Sequence, residues 1–182
     1  MGRILGTDEL YVQNARVAIV VSMFNEQITT LLHSGAVSTA TKHGADPETL
    51  DTYWVTGAFE IPLIALELAE SGRYEAICGL GAIIRGETPH FDFVASETGS
   101  GIMRACIDSR VPISFGILTT DNLGDASERS GGRVGNKGEE AMYAALHSAS
   151  HCQSCSFVLV LFLYFVHASL LPDVLFLTAL AH

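Results

Sequence analysis

The sequence predicts an α/β fold in which a parallel sheet carries helices on both faces. Three observations predict it. Apolar, β-branched segments alternate with helical segments four times along the chain, the pattern of successive βαβ units. One of these segments, Ala76–Ile84, is an unbroken apolar run with two glycines and no charge, as a strand covered on both faces requires. Each strand closes in a polar or glycine-bearing turn: Phe24-Asn25, Gly57–Glu60, Arg85–His90 and Thr119–Asp121. In an open sheet of this class those turns share the edge where ligands bind.

Taken in order, Arg16–Ser22 (RVAIVVS) is rich in β-branched residues and forms the first buried strand. Asn25 is placed to cap a helix that runs to about His43, with Gly44 as its stop. Asp46-Pro47 marks a turn, and Leu50–Thr56 is the second strand. Ile61-Pro62 opens a helix that stops near Gly72. Ala76–Ile84 is the third strand. Thr88 then reads as an N-cap, with Pro89 at the first helical position of a helix through Phe91, Val94, Ile102 and Cys106 to about Ser109. Val111–Leu118 is the fourth strand. Thr119-Thr120-Asp121 leads into a short helix ending near Ser130-Gly131-Gly132, and a last amphipathic helix covers Glu139 to about Ser148. The crossovers should be right-handed, and the sequence has no internal repeat.

The 182 residues suffice for one domain with a substantial core. A net charge of −10 without a basic stripe argues against a nucleic-acid binder. Lys and Arg total only 10, so each cation near a candidate pocket carries information. Cys78 and Cys106 read as small core residues in a reducing compartment. Cys152 and Cys155 beside His151 form a single Cys-x-x-Cys, a weak metal or redox signal. The opening MGRILGTDELYV has acidic residues and no apolar core of a secretory signal, and Thr7 lies one position beyond the myristoylation pattern.

Chemistry concentrates at the turns. His90 sits where a buried strand ends and a helix begins, a place with free N–H groups that favours anions. An imidazole there can give and take a proton near neutrality; the bland reading is an exposed helix-start residue. His33, His43 and His147 fall on helices without such a setting and read as surface or packing residues. Arg129 and Lys137 flank the glycine-rich turn Ser130–Gly138, where an arginine fork and a lysine charge could hold a phosphate or simply face solvent. Phe24 and Phe59 lie in turns at strand ends, where an aromatic face can stack on a planar ligand. Trp54 and Phe115 read as core by default. Glu60 is either a ligand acceptor or a helix cap. No cluster with metal spacing occurs in the first ~150 residues, and no GxGxxG or Walker-type loop is present.

Together the turns resemble those of the 6,7-dimethyl-8-ribityllumazine synthase family. The residues that carry the resemblance are Phe24-Asn25, the run from Gly57 to Pro62 (GAFEIP), the run from Gly81 to Asp92 (GAIIRGETPHFD), the run from Phe115 to Thr120 (FGILTT), Glu128-Arg129-Ser130-Gly131, and Gly135-Asn136-Lys137-Gly138. They stand in family order over about residues 10–147. The resemblance implies a flavodoxin-like three-layer sandwich with a four-stranded parallel sheet. It implies condensation of 5-amino-6-(D-ribitylamino)uracil with 3,4-dihydroxy-2-butanone 4-phosphate, without cofactor or metal. It further implies that Phe24 stacks on the pyrimidine, and that Ala58, Phe59 and Glu60 with Ala82, Ile83 and Ile84 contact the pyrimidine and ribityl chain. Glu87, Thr88 and Arg129 would hold the phosphate, Lys137 would lie nearby, and His90 would shuttle protons. Phe115, Arg129 and Lys137 would come from a neighbouring subunit. The implied partners are the small-molecule substrates, further copies of the chain in a pentamer, and riboflavin synthase. The short turn between Gly131 and Lys137 resembles that of members that assemble into capsids of sixty subunits. The compartment expected is the cytoplasm, or a plastid in a photosynthetic source.

The resemblance gives a family domain over residues 1–148 and a departure over 149–182. That last stretch has one charged side chain, Asp173. Its apolar run Phe157–Leu171 falls short of the roughly 20 residues of a spanning helix, and no basic cluster flanks it. Three readings stay open: translated intron or frameshifted sequence, a membrane-associated tail, or an extra packing segment. Two rival functions also stay open, a non-catalytic flavin- or pteridine-like binder on the same scaffold and a protein tethered by its last segment.

Overall fold

Four segments with the composition of buried strands pair side by side, all in the same direction. A computed structural model describes residues 10, 12 and 15–152. The strands are β1 (Val17–Ser22), β2 (Asp51–Val55), β3 (Ala76–Ile84) and β4 (Ile113–Thr120), and their order in the sheet is β2-β1-β3-β4. All three ladders are parallel. That order follows the flavodoxin-like pattern of doubly wound sheets. The helices are α1 (Glu26–Lys42), α2 (Ile61–Glu70), α3 (His90–Ser109), α4 (Leu123–Arg129) and α5, residues 137–152. The last helix therefore begins two residues earlier than Glu139 and, among the described residues, extends beyond Ser148. The chain divides after Ala149 into two compact units. The first holds the sheet. Of the second, only residues 150–152 are described, and they are helical. Cys155 and the apolar run Phe157–Leu171 lie outside the described residues.

Strand alternation sorts the core into two layers. Val17, Ile19 and Val21 of β1, with Ala76, Cys78 and Leu80 of β3, pack against Ile28 and Leu32 of α1 and Met142 and Leu146 of α5. Ala18 and Val20 face the other way, with Ile77 and Ile83, onto Ile61 and Ala65 of α2 and Ile102 of α3. The central strands β1 and β3 are buried almost throughout, while the edge strand β2 is half-buried. Burial pushes the Cys78 thiol up to about 12, so it is an inert core residue as expected.

Close approach of the layers depends on missing side chains. A Cβ on Gly116 would stand 2.8 Å from the Gly79 carbonyl oxygen and 2.9 Å from the Ala141 Cβ, and one on Gly138 would overlap the Leu32 carbonyl oxygen. The first lets α5 lie on β4; the second lets the start of α5 lie on α1.

Two expected caps are replaced. Asn25 occupies the N-cap position of α1 but makes no side-chain cap bond; it adopts left-handed dihedrals (φ 61°, ψ 43°), and its amide donates instead to the Ala82 carbonyl at 2.8 Å. The structure places Pro89, not Thr88, at the N-cap of α3, and makes His90 the first helical residue. The short helix does end at Arg129, but Ser130–Gly132 and Gly135–Asn136 form a small antiparallel hairpin, β5–β6, where the glycines read as a turn.

Candidate functional site

The carboxyl ends of β1, β2 and β3 and the first turn of α3 enclose a cleft of about 350 Å³. Each wall follows from a strand ending. After β1, the N–H groups of Met23 and Phe24 donate to the Val55 and Thr56 carbonyls at 2.8 and 3.2 Å, and the Ser22 hydroxyl accepts the Phe24 N–H at 3.1 Å. The left-handed turn at Asn25 then leaves the Phe24 ring on the cleft wall, 70% exposed. After β2, Gly57, Ala58 and Phe59 form a second wall, with the Phe59 ring 58% exposed. The end of β3 supplies Ala82, Ile83 and Ile84. The loop beyond it supplies Gly86 and Thr88, and α3 supplies His90, Phe91 and Val94.

The cleft is therefore mainly apolar, and its lining includes two exposed aromatic side chains, an imidazole and a threonine. Flat apolar walls with a few convergent polar groups suit a planar heteroaromatic ligand. Among the described residues no carboxylate or ammonium lines it. Glu60 stands at the rim: a Cβ on Gly57 would lie 3.0 Å from Glu60 Oε2. Glu60 occupies the N-cap position of α2 without a side-chain cap bond, so the capping alternative fails.

Eight of the expected site residues thus share one cleft: Phe24, Ala58, Phe59, Ala82, Ile83, Ile84, Thr88 and His90. Five do not line it. Glu60 and Glu87 are exposed beside it in the chain. Phe115 borders a separate apolar groove of about 230 Å³ with Gly99, Ile102, Met103, Cys106 and Ile113. Arg129 donates to the Asp125 carbonyl at 3.0 Å and pairs with the Asp125 carboxylate at 3.7 Å. Lys137 binds both carboxylate oxygens of Glu140 at 2.7 and 2.8 Å. Each is partly solvent-facing and satisfied within its own helix.

His33, His43 and His147 occupy packing positions. His33 Nε2 lies 2.9 Å from Thr52 Oγ1, and its ring is tilted over Trp54 at 5.7 Å. Burial lowers its pKa below the ordinary 6.5. His43 and His147 both contact the Tyr143 ring. Among the described residues no three His, Cys, Asp or Glu side chains are grouped to hold a metal ion, and no helix is long and apolar enough to cross a membrane.

Sequence reasoning did not assign Arg85 or the Asn25 amide. Arg85 was visible as one of few cations, standing inside a site turn. Its partners Asp92 and Asp121 lie seven and thirty-six residues away, too far for a local pattern to reveal.

Fold and cleft together define a class: a three-layer, flavodoxin-like α/β protein whose site lies along the carboxyl edge of its sheet. The comparisons with known proteins are specific within that class. The family model for 6,7-dimethyl-8-ribityllumazine synthase matches residues 14–153. The chain is 50% identical over 141 residues to the 6,7-dimethyl-8-ribityllumazine synthase of Helicobacter pylori (strain HPAG1), covering 78% of this chain and 90% of that one. It is 49% identical over 138 residues to the enzyme of the same name from Protochlamydia amoebophila, covering 76% and 80%. The chain belongs to the 6,7-dimethyl-8-ribityllumazine synthase family.

Proposed function

We propose that the chain condenses 5-amino-6-(D-ribitylamino)uracil with 3,4-dihydroxy-2-butanone 4-phosphate to give 6,7-dimethyl-8-ribityllumazine, phosphate and water, the penultimate step of riboflavin biosynthesis. The observation that carries it is one apolar cleft holding two exposed aromatic faces, Thr88 and His90, in a chain of this family. An amine attacks a ketone and water leaves; phosphate is eliminated; the ring closes with loss of a second water. Each step moves protons, which is the work of His90. The pyrimidine stacks on Phe24, and Ala58, Phe59, Glu60, Ala82, Ile83 and Ile84 border it and the ribityl chain. Glu87, Thr88 and Arg129 take the phosphate, with Lys137 nearby. Holding two substrates together supplies much of the acceleration, and no strong nucleophile is needed.

Phe115, Arg129 and Lys137 reach the site of a neighbouring copy. Their position off the chain's own cleft supports this, as do the exposed apolar side chains of Phe93, Met103, Ile107 and Phe115. The assembly is a pentamer. The tight β5–β6 hairpin favours further assembly into a sixty-subunit capsid. Association with riboflavin synthase and a cytoplasmic site of action belong to the same proposal. The catalytic unit is residues 1–148 with the end of α5 that follows, Ala149 included, and the rest of 149–182 takes no part in the reaction.

The test measures product absorbance and fluorescence with both substrates, on the full chain and on a version ending at Cys152, each sized by light scattering. Ending at Cys152 keeps Ala149, which is buried against the core. The expected result is product formation by an assembled shortened form. A folded, assembled shortened form that binds a flavin or pteridine yet makes no product would replace this reading with the non-catalytic binder.

A further inference from the structure

The first turn of α3 carries His90 and Phe91 to the cleft, and locally only backbone holds it, the Asp92 N–H donating to the Pro89 carbonyl at 3.0 Å. Its N-cap is Pro89 and no side chain caps it. Residues 85–90 are all exposed. A helix start with unsatisfied N–H groups and no cap frays unless tertiary contacts fix it. Phe91 and Val94 supply part of that contact by packing against the core, and the polar part comes from Arg85. Its guanidinium carbon lies 4.1 Å from the centre of the Phe91 ring. Nη1 donates to the two oxygens of Asp92 at 3.2 and 3.4 Å, and Nε donates to Asp121 Oδ1 at 2.9 Å. The Arg85 N–H donates to the Thr120 carbonyl at 2.9 Å. One side chain from the end of β3 thus joins the first turn of α3 to the end of β4.

We propose that Arg85 is a positioning residue: it fixes the first turn of α3 and so sets where the His90 imidazole stands over the cleft. The inference rests on the condensation reading above. An arginine suits this role, because its planar guanidinium can lay its face on a ring while its edge donates to two separate carboxylates, a geometry the compact ammonium lacks. The Arg85 side chain is 43% exposed, and Asp92 and Asp121 are 62% and 77% exposed, so these pairs contribute little to global stability. Their effect is on placement. Proton transfer depends steeply on placement, while the substrate-binding walls from β1 and β2 do not depend on this turn.

The test compares the full-length wild type with Arg85→Ala, Arg85→Lys, Asp121→Asn and the Arg85→Ala/Asp121→Asn double variant. In Arg85→Ala, kcat should fall about tenfold with KM for both substrates within about twofold. Arg85→Lys should recover part of the loss. The double variant should be no worse than Arg85→Ala, since both changes cut one link. The second readout needs no substrate: cleavage by a glutamate-specific protease after Glu87 should be several-fold faster in Arg85→Ala than in wild type, at a melting temperature within about 2 °C. Unchanged kcat together with unchanged cleavage overturns the proposal. So does a raised KM for the phosphate-bearing substrate at constant kcat, which would make Arg85 a phosphate ligand. If the wild type makes no product, the condensation reading fails, and the cleavage rates still decide whether Arg85 secures the turn.

Discussion

At the scale of the residue, His90 and Asn25 make opposite kinds of contribution. His90 is exposed at the cleft, and in the proposed reaction its role is chemical, so His90→Ala should lower turnover by about a hundredfold or more while substrate KM changes little. Steady-state kinetics with both substrates checks this, and unchanged turnover removes His90 from the mechanism. Asn25 acts through geometry. It holds a left-handed turn and spends its amide on the Ala82 carbonyl, tying the ends of β1 and β3 together below Phe24. Asn25→Gly keeps the turn and loses the bond; Asn25→Ala loses both. The alanine variant should be less stable than the glycine variant by about 1 kcal/mol, measured by urea unfolding, and equal midpoints would mean the left-handed turn carries no strain. These two residues mark what the sequence discloses. His90 was legible because strand, turn and helix signals surround it. The Asn25 amide was not, because a capping asparagine and one bonding fifty-seven residues away look the same in a linear string.

Elements were legible where composition forces them. The apolar run Ala76–Ile84 is β3 to the residue, because a strand buried on both faces admits nothing else. Ends were less legible. The start of α3 moved from Thr88 to Pro89, and the stretch after α4 became a hairpin, because glycine permits turn and extended backbone alike. Packing between elements leaves no sequence pattern, and the glycines show it. Gly116→Ala should lower stability by about 1–3 kcal/mol, since the new methyl meets the Gly79 backbone and α5. Gly86→Ala, with no atom within 4 Å of the added carbon, should stay within about 0.5 kcal/mol of wild type. Urea midpoints of the two variants should separate accordingly. The packing of α1 against β2 adds a pH dependence. Burial holds the His33 pKa below 6.5 in the fold, so the unfolded chain binds the proton more readily. The stability that follows is complete above about pH 6.5 and is lost as pH falls below it. Between pH 7.5 and 5.5 the wild-type urea midpoint should fall more than that of His33→Gln; parallel slopes would show that His33 makes no contribution.

At the scale of the whole molecule the question is whether one chain makes a whole site. Aromatic and imidazole groups share one cleft, but Arg129, Lys137 and Phe115 do not line it, although the reaction needs a cation for the departing phosphate. If a neighbouring copy supplies them, each site draws on two chains, and two inactive variants can restore one another. Arg129→Ala keeps His90, and His90→Ala keeps Arg129. In an oligomer refolded from an equal mixture, a site is complete only where the chain giving the imidazole wall is the Arg129 variant and its neighbour is the His90 variant. Random arrangement around a ring makes that about one quarter of sites, and the mixture should recover about one quarter of wild-type turnover. Each variant refolded alone should stay near its own low rate. A site built within one chain predicts no recovery at all, whatever the mixing ratio. The ratio is informative in itself: complementation by paired neighbours peaks at equal amounts and falls away symmetrically on either side. A contaminating wild-type fraction would instead follow the amount of one component.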